Sequence, residues 1–189
     1  MRSDGAAAPR VLVLPGLGGS GEAHWQTIWQ ARHGYARVEQ SDWDRPARDA
    51  WVERLDEAIA RQAGEVVLVA HSLACALVAH WAAAAGTDRV AAALLVAPAD
   101  VDSAAHTPPE TRSFAPMPLT ALPFASLVVA SATDPYVALE RARHFAACWG
   151  ARFVDLGDAG HINADAGLGA WDAGHALLME LLRTSMAQD

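Results

Sequence analysis

Three side chains whose types could act together in acyl transfer follow three separate apolar segments of the chain. They are Ser72, Asp134 and His161, in that order along the sequence. A serine hydroxyl is a weak nucleophile until a base removes its proton, and a neutral imidazole is basic enough to do so at about pH 7. A carboxylate beside the imidazole fixes its tautomer and stabilises the imidazolium that forms. These residue types therefore indicate nucleophilic catalysis through an acyl-enzyme, if the fold brings them together.

Ser72 lies in the segment EVVLVAHSLACAL. The apolar run Val66–Val69 predicts a buried strand that ends at Ala70, and a helical segment rich in Ala and Leu begins directly after Ser72. A serine at a sharp strand-to-helix turn, with small residues such as Ala70 and Ala74 on either side, is typical of a nucleophile elbow. A strand followed by a serine that caps a helix would have the same sequence. This segment alone leaves both interpretations open.

Asp134 and His161 each follow another segment that is typical of a strand. Asp134 comes after SLVVASAT and precedes Pro135, whereas His161 lies in a glycine-rich turn after RFVDLGDAG. An aspartate followed by proline is also a common helix start, in which the carboxylate only caps the helix. The chain order serine, acid, histidine is that of α/β-hydrolases, and it favours the catalytic interpretation.

Other carboxylates compete with Asp134 for the role of the acid. They are Asp100, Asp102 and Asp158. Asp158 is so close to His161 in sequence that a side-chain approach is difficult. Asp100 follows the fourth predicted strand and is the more serious competitor. We expect Asp134 to be the acid and keep Asp100 as the alternative.

Acyl transfer also needs donors for the oxyanion of the tetrahedral intermediate. The residue after the nucleophile supplies one backbone N–H, and the loop after the first strand supplies the other. The residue after the nucleophile is Leu73, and the loop VLVLPGLGGSGEAHW offers Leu17. We therefore expect the amides of Leu17 and Leu73 to form the oxyanion hole.

The same loop supports a different hypothesis. Gly16, Gly18 and Gly21 form a G-x-G-x-x-G pattern after a strand, and Glu39 lies near the end of the next strand. These are the parts of a dinucleotide-binding fingerprint, as in an oxidoreductase. Pro15 directly before the first glycine does not suit that fingerprint, and the hypothesis leaves the serine, aspartate and histidine above without a role.

The elements that would position these residues alternate between short apolar runs and longer helical patterns. Runs such as VVLVA and AAALLVA are apolar throughout, as in parallel strands covered by helices on both faces. The predicted strands are Val11–Leu14, Ala36–Glu39, Val66–Ala70, Ala91–Ala97, Ser126–Ala130 and Arg152–Leu156. The predicted helices are Ala23–Arg32, Ala47–Ala63, Leu73–Ala85, Val137–Trp149 and Ala164–Leu182. The chain is therefore predicted to be of the α/β class, with about six mainly parallel strands and helices on both faces.

Pro98–Pro123 interrupts this alternation. The segment holds six prolines, a density that excludes helices of useful length. We expect a long loop over the carboxyl ends of the strands, which is where α/β folds bind their ligands. A loop of this length inside a compact domain is usually functional.

Composition limits the remaining possibilities. The 189 residues, of which 52% are hydrophobic, predict one globular domain, with residues 1–9 as a flexible extension. The net charge of −8 disfavours a nucleic-acid partner or a membrane partner, since both require a basic face. No lysine is present, which excludes a P-loop lysine, a Schiff-base lysine and a pyridoxal-phosphate anchor. Cys75 and Cys148 have no metal-site spacing. We expect no metal and no organic cofactor, and a cytoplasmic location.

Several motifs together resemble the retinoblastoma-binding protein 9/YdeN-like serine hydrolase family. They are PGLGGSGEAHWQTIWQ, SDWDRP, AHSLAC, SATDPY and GHINADAGLGAW, which are distributed over most of the chain. The resemblance implies a small α/β-hydrolase without a lid domain, with a triad at Ser72, Asp134 and His161. Ala74 departs from the glycine that is common after the nucleophile. The Leu-x-Cys-x-Glu motif associated with retinoblastoma-protein binding is not matched, because the segment LACAL ends in leucine, and nothing in the sequence supports that partner.

The sequence therefore predicts a carboxylesterase-like serine hydrolase that acts on a small ester or amide substrate. Gly16, Gly18, His24, Trp25 and Trp171 are candidates for substrate binding, because their segments would lie beside the site. For each tryptophan, buried packing is favoured over a contact with the substrate. His71, the residue before the nucleophile, is expected to point away from the serine and to be structural. A hydrolase-fold protein that works by binding a partner, with an inactive triad, is the alternative function.

Overall fold

The computed structural model describes residues 9–185, so most of the expected N-terminal extension (residues 1–8) lies outside the described residues. Within residues 9–185, six strands form one sheet in the order β2-β1-β3-β4-β5-β6, and every neighbouring pair is parallel. The strands are β1 (Arg10–Leu14), β2 (Ala36–Arg37), β3 (Val66–His71), β4 (Val90–Val96), β5 (Ala125–Ala130) and β6 (Arg152–Asp155). The predicted α/β class and the parallel sheet are confirmed.

Helices cover both faces of the sheet. They are α1 (Trp25–His33), α2 (Arg48–Ala60), α3 (Leu73–Ala84), α4 (Leu139–Trp149) and α5 (Asp172–Ser185). The prediction of one helix from Ala164 was wrong at its start, because only a short 3-10 turn, Ala164–Ala166, forms there. Gly167 and Gly169 then take φ values of 68° and 55°, which end a right-handed helix. Within residues 9–185, no helix has the length and apolar character needed to cross a bilayer.

The central strands are apolar throughout because each of their faces packs against a separate helical layer. On β3, Leu68 and Ala70 belong to one core with α2, α3 and α4, whereas Val67 and Val69 belong to a second core with α1 and α5. All four side chains have no exposed surface. Side chains on a strand alternate between its faces, so an uninterrupted apolar run is what two covered faces require.

Tryptophans join the two helices of the second core. The ring of Trp25 lies 4.7 Å from that of Trp29 and 5.0 Å from that of Trp171, centroid to centroid. The indole N–H of Trp29 also donates to the carbonyl of Ala170 at 2.7 Å. Trp25 and Trp171 are buried in this cluster, so the expectation that they wall a substrate pocket was wrong. Their large apolar surfaces fill the space between α1 and α5 instead.

The proline-rich connection between β4 and β5 is held in one shape by an arginine. Residues 100–115, here called the strap, contain a 3-10 helix over Pro109–Phe114. The guanidinium of Arg112 donates to the carbonyl of Val101 at 3.0 Å, and to the side-chain and backbone oxygens of Thr107 at 2.8 and 2.6 Å. The segment predicted as a long loop is therefore a braced element with one short helical turn.

Candidate active site

Ser72 lies at the turn between β3 and α3 in a strained backbone conformation. Its φ and ψ are 58° and −121°, a region that residues other than glycine rarely adopt. The Ser72 amide donates to the carbonyl of Val96 on the neighbouring strand at 2.9 Å. Its side chain makes no capping hydrogen bond to α3, so the helix-capping interpretation was wrong. The turn has the form of a nucleophile elbow, with the hydroxyl raised above the sheet edge.

Ser72, His161 and Asp134 form a continuous hydrogen-bonded series. The Oγ of Ser72 lies 2.8 Å from Nε2 of His161, and Nδ1 of His161 lies 2.9 Å from each carboxylate oxygen of Asp134. An ionised carboxylate can only accept, so Nδ1 carries the ring proton and Nε2 is left to accept from the hydroxyl. The Asp134 side chain is fully buried and that of His161 is 9% exposed, so the contact between them is shielded from water.

The other candidates for the acid do not contact His161. Asp100 and Asp102 both contact the guanidinium of Arg141, at 3.4 and 2.7 Å respectively. Asp158 is exposed on its turn. The carboxylate that meets His161 is therefore Asp134, as the sequence order suggested.

Two hydroxyl side chains tie the loop that carries the acid to the loop that carries the histidine. The Oγ of Ser131 donates to the carbonyl of Gly157 and accepts from the amide of Ala159, both at 2.9 Å. The Oγ1 of Thr133 accepts from the amide of Gly160 at 3.1 Å. Sequence reasoning missed both hydroxyls, although both precede Asp134 in the motif SATDPY.

The proposed oxyanion donors come from two different segments that line the cleft at Ser72. Leu73 is the first residue of α3, where an amide has no acceptor within its own helix. Leu17 follows Gly16 in the loop after β1, and both leucines line the cleft at Ser72. Among residues 9–185, neither amide has a hydrogen-bond acceptor. Two free N–H groups beside a serine hydroxyl can receive a developing oxyanion.

A cleft of about 290 Å³ opens over Ser72 and His161. Gly16 and His24, two of the predicted substrate-binding residues, line it, but Gly18, Trp25 and Trp171 do not. Gly18 instead turns the loop away, with φ of 74° and its amide donating to the carbonyl of Trp43 at 2.8 Å. Other lining residues were missed from the sequence: Thr107, Pro108, Thr111, Tyr136 and Asn163. Two sequence features could have indicated these residues. One is the density of prolines around the strap, and the other is the position of Tyr136 two residues after Asp134.

Two buried histidines beside the cleft are held in the neutral form. Burial, followed by the nearby charges of His161 and Arg37, lowers the pKa of His24 to about 4. Burial also holds the pKa of His71 well below its ordinary value. The Nδ1 atom of His24 accepts from the amide of Gln26 at 3.2 Å and so caps α1. The His71 ring centroid lies 4.8 Å from that of His161, and Nε2 of His71 contacts the carbonyl of His161 at 2.9 Å, so this histidine packs beside the catalytic candidate His161.

The thiol of Cys75 lies in the core rather than in the cleft. Cys75 is buried in α3, and burial raises the pKa of its thiol, so it is poorly suited to act as a nucleophile. Its neighbours Leu73 and Leu77 are buried as well. Within residues 9–185, no group of three or more His, Cys, Asp or Glu side chains is placed to hold a metal ion.

Comparison with known proteins relates this chain to hydrolases. A model of the family described as serine hydrolase matches residues 11–180. A protein from Pectobacterium atrosepticum, described as a YdeN-like hydrolase, is 30% identical, with a TM-score of 0.83 over 93% of this chain and 91% of that chain. The ydeN gene product of Bacillus subtilis is 18% identical, with a TM-score of 0.72 over 93% of this chain and 99% of that chain. A protein from Mycobacterium tuberculosis described as a non-heme bromoperoxidase shares the fold at 13% identity, with a TM-score of 0.69 over 95% of this chain and 94% of that chain. The curated proteins give no match.

Proposed function

The chain belongs to the serine hydrolase family and is similar to YdeN-like hydrolases, and on that premise we propose that Ser72 is the nucleophile that cleaves a small carboxylic ester or another activated acyl substrate. The observation that carries this proposal is the series of hydrogen bonds from Ser72 through His161 to Asp134. The carboxylate beside Nδ1 favours the imidazole tautomer that leaves Nε2 free to accept from the Ser72 hydroxyl.

In the proposed mechanism, the Oγ of Ser72 attacks the acyl carbon while its proton passes to Nε2 of His161. The carbonyl oxygen becomes an oxyanion that the amides of Leu17 and Leu73 receive. When the tetrahedral intermediate collapses, the carbon–oxygen bond to the leaving group breaks and the leaving oxygen takes the proton from Nε2. Water then attacks the acyl-enzyme by the same route, which releases the acid and restores the hydroxyl. Asp134 stabilises the imidazolium in both halves, and the scheme needs no metal and no organic cofactor.

The dimensions of the cleft support a small acyl group. The volume of about 290 Å³ is shared by the acyl group and the leaving group, and ligand pockets for drug-sized molecules begin at about 300 Å³. Thr107 and Thr111 of the strap close one side, and both are almost fully buried. Since Arg112 braces this wall, it limits the space for a long acyl chain on that side of the cleft.

A fluorophosphonate probe with intact-mass detection tests the assignment of the nucleophile. The wild-type protein should gain the mass of one phosphonyl group, and Ser72→Ala should gain none. Ser126→Ala is the matched control, since Ser126 lies on β5 outside the cleft, with its Oγ donating to the carbonyl of Phe124 at 3.1 Å. An unlabelled wild type, or labelling of Ser72→Ala, would reject the proposal. Hydrolysis of nitrophenyl esters by the same three proteins gives the matching activity measurement.

A further inference from the structure

The residue after His161 has a strained backbone. Ile162 takes a φ of 51°, which lies in the left-handed region that β-branched residues almost never adopt. Its side chain is fully buried. Such a conformation persists only where the surrounding structure holds it, and it is concentrated at functional sites. The groups that contact this turn must therefore hold Ile162 in its strained conformation.

Two buried ring N–H groups contact the two carbonyls on either side of the Ile162 α-carbon. Nε2 of His71 lies 2.9 Å from the carbonyl oxygen of His161, and Nε1 of Trp25 donates to the carbonyl of Ile162 at 2.7 Å. A carbonyl can only accept, so Nε2 of His71 carries a proton and is the donor. Both donor side chains are at most 5% exposed, so water cannot readily replace them.

These two hydrogen bonds restrain the conformation of Ile162, together with the bond from its own amide to the carbonyl of Ala159 at 3.1 Å. The carbonyl of His161 belongs to the peptide plane before the Ile162 α-carbon, and the carbonyl of Ile162 belongs to the plane after it. Because a peptide unit is planar, a donor fixed to each carbonyl restricts both φ and ψ of the residue between them. The His71 ring also packs against the His161 ring at 4.8 Å. His71 directly precedes Ser72, so one residue connects the serine to the histidine turn.

We propose that His71 and Trp25 are positioning residues for His161, because together they hold the strained turn at Ile162 and so keep Nε2 of His161 within hydrogen-bond reach of Ser72. The inference rests on the proposed function, in which His161 is the base that activates Ser72. It assigns a role to Trp25 that differs from the substrate contact expected from the sequence. His71 likewise has a role beyond packing in the core, because it restrains the turn that follows His161.

The experiment compares variants that lose one N–H but keep a ring. Trp25→Phe and His71→Phe remove the two donors. Trp29→Phe is the matched control, because the Trp29 indole also donates to a carbonyl, that of Ala170, at 2.7 Å in the same core. His71→Gln is the rescue variant, since the glutamine amide places an N–H near the position of Nε2.

For each protein, kcat and KM for nitrophenyl acetate and the melting temperature are measured. We expect Trp25→Phe and His71→Phe to lower kcat by about tenfold or more, with little change in KM, because small misplacements of a catalytic group are costly. Trp29→Phe should lower the melting temperature to a similar degree while kcat falls less than about twofold. His71→Gln should recover most of the kcat that His71→Phe loses.

Equal losses of kcat in Trp25→Phe and Trp29→Phe, or no recovery in His71→Gln, would overturn the inference while leaving the function of Ser72 intact. If Ser72→Ala hydrolysed the ester as fast as the wild type, the proposed function would fail first. Should a variant not fold, proton exchange in the wild-type protein still decides: the Trp25 indole N–H should exchange slowly, and rapid exchange would contradict the hydrogen bond to Ile162.

Discussion

Gly16 lies against Ser72 so closely that no side chain fits between them. A Cβ on Gly16 would lie 3.0 Å from the Cβ of Ser72 and 2.9 Å from the carbonyl oxygen of His71. The obstacle is mainly backbone and cannot swing aside. This contact explains the first glycine of the G-x-G-x-x-G pattern without a dinucleotide, because the loop must touch the elbow to bring the amide of Leu17 toward the serine.

Gly16→Ala should therefore impair the chemistry more than the fold. The new methyl group would push the Leu17 loop away from the elbow, and we expect the rate of Ser72 phosphonylation to fall by about tenfold or more. The control is Gly86→Ala, because Gly86 has open space around it and a φ that suits alanine. Equal labelling rates in Gly16→Ala and the wild type would show that this contact does not position the donor.

Asp134→Asn should remove the carboxylate while leaving a side chain of nearly the same shape. An asparagine can donate to Nδ1 and hold the imidazole in the wrong tautomer, so kcat should fall by about 10,000-fold. Asp100→Asn is the control, since Asp100 contacts Arg141 rather than His161. Steady-state hydrolysis of a nitrophenyl ester measures both. If Asp100→Asn were the inactive protein, the assignment of the acid would be reversed.

Arg112→Ala should broaden the range of acyl groups that are hydrolysed. The guanidinium contacts Val101 and Thr107 within the strap, and its loss frees the wall formed by Thr107 and Thr111. With nitrophenyl esters of increasing chain length, kcat/KM of the wild type should drop steeply, and that of the variant less steeply. Arg143→Ala loses the ion pairs with Asp155 and Glu140 and the contact with the Phe153 ring, none of which line the cleft, and it should keep the wild-type profile. An unchanged profile in Arg112→Ala would mean that the strap does not set the limit.

The buried neutral histidines make stability depend on pH. Folded His24 takes up a proton only at about pH 4, whereas its ordinary pKa is 6.5. Between these values the unfolded state binds more protons, so the free energy of unfolding should decrease as the pH falls, by at most about 1.4 kcal/mol per pH unit for this group. His71 acts in the same direction.

Urea unfolding of the wild type and His24→Asn between about pH 6.5 and about pH 4 measures this slope. Asparagine is a good helix N-cap, so it can replace the bond from Nδ1 of His24 to the amide of Gln26. The variant should show a smaller slope than the wild type. Identical slopes would mean that His24 is not the group that titrates.

The sequence predicted those parts of the fold that local patterns determine. The run Val66–Val69 had to be a strand covered on both faces, and the positions of Asp134 and His161 after later strands follow from the same rule. Roles that depend on distant partners were not accessible. Whether Trp25 lines a pocket or fills a core depends on Trp171, which lies far along the chain and whose own position depends on the turn before α5.

The cleft wall was missed for the same reason. Thr107 and Thr111 have no distinctive sequence pattern, and only the fold of the strap places them in the wall of the cleft. The sequence indicated that the proline-rich segment would lie over the sheet edge, but it could not indicate which of its side chains face the serine. Which residues line a pocket depends on tertiary packing. The residues proposed to react can also be recognised in the sequence, by their type and by their positions after strands.

The bond between Trp25 and Ile162 has a consequence for synthesis on the ribosome. Its two residues are 137 positions apart in sequence, so a nascent chain that has already exposed Ser72 and its strand still lacks the turn that holds the histidine. The face of α1 that carries Trp25 and Trp29 is covered only when α5 has emerged. Contacts between residues so far apart in sequence form slowly, because the intervening chain loses loop-closure entropy before the contact stabilises it. We therefore expect hydrolytic activity to appear only after the residues of α5 have been released, rather than in steps as the earlier strands emerge.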